Sequence, residues 1–111
     1  MSNAPNLTYS TALVLHALAN GYAYGFDIID ATGLASGTVY PLLRRLERVG
    51  YVESRWESQS KALREGRPAR KYYRITSEGR ELLARARTRF AALGRALHPA
   101  RRPTSGESPA W

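Results

Sequence analysis

The sequence predicts a mainly α-helical domain with one small β-hairpin, followed by a further C-terminal helix. Two observations carry this. Apolar residues recur at three-to-four spacing in several stretches, and the period drops to two on either side of a polar stretch containing Gly66 and Pro68. The length of 111 residues suits one domain with a modest core.

The first helix is expected at about 8–19, where Tyr9, Ala12, Leu13, His16 and Ala17 share a face that Leu7, Leu15 and Leu18 widen. Thr8 supplies a capping hydroxyl and Asn20-Gly21 a stop. A short helix fits 24–32, with Phe26, Ile28 and Ile29 apolar and Gly33 as terminator. The third is expected at 36–49, capped by Ser36 and closed by Gly50. Its stripe of Val39, Leu42, Leu43, Leu46 and Val49 leaves Thr38, Pro41, Arg45 and Arg48 on another face, beside Tyr40, Arg44 and Glu47. Pro41 is read in the first turn, where a missing N–H has no helical partner. A short helix, a tight turn and an amphipathic helix with a basic outer face form a helix-turn-helix.

Beyond Gly50, Val52, Ser54 and Trp56 alternate with Glu53, Arg55 and Glu57, and residues 70–75 alternate again. The stretch between them has loop chemistry, so a hairpin over about 52–75 with a flexible basic tip is expected. Residues 1–75 would then form a winged helix-turn-helix. Trp56, Tyr72, Tyr73 and Phe90 are assigned to the core. Thr76-Ser77-Glu78 starts a last helix, expected over 76–98, whose Leu83, Ala86, Phe90, Leu93 and Leu97 form a two-heptad seam suited to dimerisation. The Pro- and Ser-containing segment 99–111 is expected to be disordered.

Charge is unevenly spread. Residues 44–75 hold ten basic and four acidic residues, +6 of the net +8, whereas 1–43 carry only Asp27 and Asp30. Such a basic centre suits a polyanionic partner, most often nucleic acid. The chain has no cysteine, so no disulfide frame or thiol nucleophile is available, and no apolar run approaches a membrane span. His16 and His98 lie far apart without partner ligands, so no metal is expected; His16 reads as a core or interface residue and His98 as a helix C-terminal cation. Nothing assembles a nucleophile, base and oxyanion site, so the chain does not read as an enzyme, and no cofactor is implied.

The run from Gly37 to Glu47 (GTVYPLLRRLE), then Gly50-Tyr51-Val52, resembles the PadR family of winged-helix transcriptional regulators. So do Gly66-Arg67-Pro68, the run Arg70 to Thr76 (RKYYRIT) and Glu78-Gly79; Tyr24-Gly25-Phe26 stands where that family opens its second helix. The resemblance implies a homodimeric repressor of double-stranded DNA operators, paired through terminal helices and often relieved by a small ligand; the absence of cysteine fits a cytoplasmic location. It resembles the short members, with one C-terminal helix. On this reading Ser36, Thr38 and Tyr40 sit where helix N-termini approach bases and phosphates, although capping by Ser36 and packing by Tyr40 are equally open. Arg44, Arg45 and Arg48 would meet the groove, and Lys61, Arg64, Arg67, Arg70 and Lys71 would follow phosphates from the wing. Arg67 is the foremost wing candidate because Pro68 stiffens its tip. Phe90, Leu93 and Leu97, doubled about a dimer axis, could line a cavity for a hydrophobic or aromatic effector. The competing class is a winged helix that binds an acidic protein rather than DNA.

Overall fold

The computed structural model describes residues 7–97. The segment 99–111 and His98 lie outside the described residues. Within them, the chain runs α1 (Tyr9–Ala19), α2 (Gly25–Thr32), α3 (Ser36–Arg48), β1 (Val52–Trp56), α4 (Gln59–Arg64), β2 (Lys71–Ile75), α5 (Ser77–Arg89) and a 3-10 turn (Leu93–Arg95). The fold is mainly helical with a two-stranded antiparallel hairpin, as the apolar periods predict.

Helix α1 is the central element. The hydroxyl of Thr8 accepts from the Thr11 amide at 3.1 Å, and residues 11–18 are all buried. Ile28 and Ala31 of α2, Val39, Leu43 and Leu46 of α3, Val52, Ile75, and Leu82, Leu83 and Ala86 of α5 complete one core. The chain entering α2 docks on the hairpin: the Tyr73 amide donates to the Ala23 carbonyl at 2.7 Å, and Tyr24 bridges Tyr72. β1 and β2 pair from Val52↔Ile75 to Trp56↔Lys71.

Two glycines permit close approaches between elements. A Cβ on Gly25 would collide with the hydroxyl-bearing edge of the Tyr40 ring, so α3 can press its tyrosine onto the first turn of α2 only because residue 25 lacks a side chain. A Cβ on Gly79 would collide with the Tyr51 carbonyl, which accepts from the Thr76 amide at 3.1 Å as α5 begins.

Several expectations differ from the structure. Ser36 is the first helical residue of α3, and Ala35 precedes it as a cap without a side-chain hydrogen bond. Pro41 lies inside that helix, past the first turn. The polar stretch between the strands is not a plain loop: Ser58 accepts from the Lys61 amide at 3.2 Å and starts α4, whose Ala62 is buried. Trp56 is 68% exposed. It continues the face of Val52, but the hairpin outruns the core there, and Lys71 Nζ stands 5.8 Å from its ring.

The last helix is shorter than the predicted 76–98. It ends at Arg89, and Phe90 turns the chain so that the 3-10 turn folds back. Leu83, Ala86 and Leu93 are buried within the chain's own core, which absorbs three of the five residues of the expected dimer seam. Phe90 and Leu97 remain partly buried, Phe90 meeting the exposed Tyr9 edge-on at 5.4 Å.

Candidate nucleic-acid interface

The stripe Val39, Leu42, Leu43 and Leu46 fixes the rotation of α3 on the core, and so decides which side chains face out. Arg44, Arg45 and Arg48 are exposed along it and make no hydrogen bond or ion pair among the described residues. Ser36 and Tyr40 are exposed nearer the N-terminus, with Thr38 half-buried. Helix α3 therefore presents a polar first half and a basic second half on one face.

In the hairpin, sequence candidates separate into free and engaged cations. Arg64, at the end of α4, is exposed and has no ion pair among the described residues. Arg67 is engaged. Its guanidinium grips the Glu57 carboxylate with two hydrogen bonds, Nη2 to Oε2 at 2.7 Å and Nη1 to Oε1, and Nη2 also meets Glu65 at 2.8 Å. The expected wing-tip contact is thus a strut within the wing.

Glu57 is the centre of this network. Its side chain is 1% exposed, and it also accepts from the Tyr72 hydroxyl at 3.0 Å and the Arg70 amide at 3.3 Å. Lys61 Nζ lies 3.9 Å away. The Arg67 hydrogen bonds, outweighing burial, hold the Glu57 carboxyl at about 2, against an ordinary 4.5. The same carboxylate raises the pKa of Arg67.

Arg70 lies farther down the hairpin than the tip. Its guanidinium stacks 3.8 Å over the Tyr24 ring and donates to the Tyr24 hydroxyl at 2.9 Å. Burial, first among several causes, pushes the Tyr24 hydroxyl well above the ordinary tyrosine range. Lys71 is half-buried, 3.8 Å from Glu47 and 5.8 Å from the Tyr73 ring. Sequence reasoning missed Glu57 and Tyr24 as participants. An acid amid basic residues, and a tyrosine ahead of a glycine, carry no spacing that announces their distant partners.

Among the described residues no cluster of His, Asp or Glu could hold a metal ion, and no helix is long and apolar enough to cross a membrane. What the surface offers is a row of arginines on the exposed face of α3, flanked by a hairpin whose outer half is braced from within. That arrangement can meet phosphates and groove edges.

The sequence model of the transcriptional regulator PadR-like family matches residues 14–85. A search of curated proteins found no match. Among solved structures, the chain is similar to a PadR family transcription regulator from hypervirulent Clostridium difficile at 24% identity and a TM-score of 0.65, covering 79% of this chain and 93% of that one. It is similar to a PadR-like transcription factor from Bacteroides fragilis at 27% identity and a TM-score of 0.61, covering 77% and 82%. A padr family transcriptional regulator from Eggerthella lenta shares 30% identity at a TM-score of 0.57, covering 76% of each chain.

Proposed function

Because the chain belongs to the PadR-like family of transcriptional regulators, non-enzymatic DNA-binding proteins, we propose that it is a sequence-specific repressor that acts as a homodimer on double-stranded DNA in the cytoplasm. The observation that carries this is the outer face of α3, where Arg44, Arg45 and Arg48 are exposed without internal partners. Each α3 would enter a major groove from its N-terminal half, placing Ser36, Thr38 and Tyr40 near base edges. Arg64 would reach flanking phosphates from the wing, with occlusion of a promoter as the mechanism.

Pairing through the ends of α1 and α5 is supported by the exposed Tyr9 and the partly buried Phe90 and Leu97. This narrower surface replaces the full heptad seam. Relief by a small hydrophobic or aromatic effector completes the reading; phenolic acids and hydrophobic dyes that shift neither melting nor DNA retention would remove that part.

Gel-shift with random and selected duplexes, run beside sedimentation equilibrium, tests the whole. The expected outcome is a dimer that retains random duplex weakly, retains a selected duplex strongly, and becomes monomeric on Phe90→Glu. A wild-type protein that retains neither duplex at low salt, yet binds an acidic protein, would instead establish the interaction-module reading.

A further inference from the structure

A cleft of about 190 Å³ opens where the N-terminus of α2, the Tyr40 ring of α3 and strand β2 converge. Its lining offers several hydrogen-bond donors. Tyr73 is 8% exposed and lines the cleft, and neither its hydroxyl nor that of Tyr40 has a hydrogen-bond partner among the described residues. The Nε of Arg70 is buried and likewise unpartnered. Lys71 adds an ammonium at the rim, drawn partly toward Glu47. No side chain caps the start of α2, whose Gly25 and Phe26 form one wall.

Burial, more than the neighbouring Glu47 charge, raises the pKa of the Tyr73 hydroxyl, so it stays protonated and able to donate. The remaining surface is apolar: Phe26 is 72% exposed at the mouth, a position that burial in the core does not explain. Donors at the back and rings at the mouth complement an oxyanion attached to an apolar body. A phosphodiester with its deoxyribose has this chemistry, and most protein–DNA hydrogen bonds go to such groups. The location fits as well, since Tyr40 belongs both to the cleft and to the exposed face of α3.

We infer that this cleft seats one backbone phosphate of the bound duplex, with the Tyr73 hydroxyl, Arg70 and Lys71 as donors and Phe26 and Tyr40 against the sugar. The inference rests on the DNA-binding reading and adds Tyr73 and Phe26 to its contacts. Both lie outside the basic residues that sequence composition points to.

The test is equilibrium binding of the full chain to a duplex selected from random sequence, either unmodified or carrying one uncharged methylphosphonate at each backbone position in turn. Tyr73→Phe removes an oxygen that has no partner inside the protein, so its melting temperature should match the wild type. Its affinity for the unmodified duplex should fall about tenfold, the usual effect of losing a hydrogen bond to a charged acceptor. At one backbone position and its symmetry mate, methylphosphonate should weaken the wild type more than it weakens Tyr73→Phe. Lys71→Gln should likewise be less sensitive than the wild type at the same position, which keeps the test decisive if Tyr73→Phe folds poorly.

Unchanged affinity and an unchanged methylphosphonate profile in both variants would overturn the inference while leaving DNA binding intact. Failure of the wild type to retain duplex at low salt would remove the DNA reading itself. Inorganic phosphate, titrated at constant ionic strength, distinguishes a free-anion site. If it shifts the Tyr73 and Gly25 resonances while every methylphosphonate duplex binds undiminished, the assignment to DNA is wrong.

Discussion

A carboxylate withdrawn from water needs several donors to remain ionised, and Glu57 has them in Arg67, Tyr72 and the Arg70 amide. Because its folded pKa is depressed to about 2 from 4.5, this group stabilises the fold fully above about pH 4.5, and the contribution is lost as pH falls toward 2. Acid titration of thermal melts should therefore show wild type losing stability through that window. Glu57→Gln should be less stable at neutral pH and flatter below it; parallel curves would contradict the assignment. Gly25 makes a second residue-scale prediction. Gly25→Ala should destabilise by roughly 1–3 kcal/mol, because the added methyl drives into the Tyr40 ring. Combination with Tyr40→Ala should cost less than the sum of the two, as contacting residues do. Neither contact was legible beforehand. Tyr24-Gly25-Phe26 could be quoted from the sequence, but the reason for its glycine lies fifteen residues away on another helix.

At the scale of elements, legibility followed the length of the apolar pattern. α1 to α3 bury enough periodic residues to locate them to within a residue or so, and the stripe of α3 also exposes its arginines. α4 is shorter than two turns and buries only Ala62, so it leaves no amphipathic signal in a polar stretch. Its cap is testable. Ser58→Ala should cost about 1 kcal/mol at most and speed hydrogen exchange at the Lys61 amide without altering exchange in α3. Equal acceleration in both helices would mean the wing is not a separate unit. α5 shows the converse limit. Leu83, Ala86 and Leu93 have the spacing of a seam whether they face a partner or their own core. The turn at Phe90, which decides between the two, is set by packing against Tyr9 and the core rather than by a glycine or proline at the break.

For the whole molecule, the net charge of +8 overstates the free positive surface. Within the basic block, Arg67 and Arg74 are tied to Glu57 and Glu53, and Lys61 and Arg70 lean on Glu57. Arg44, Arg45, Arg48 and Arg64 are the exposed arginines of the block without an internal partner among the described residues. The sequence locates the block, but only the fold separates its contacts from its struts. The most direct measurement is the salt dependence of binding to a selected duplex, compared between wild type and the Arg44→Ala/Arg45→Ala double variant. Wild type should lose affinity steeply as salt rises, and the variant should bind more weakly with a log–log slope shallower by about 1.8 per protomer, the counterion release expected for two phosphate contacts. A folded double variant with wild-type affinity and slope would contradict the assignment of α3 as the DNA-binding element.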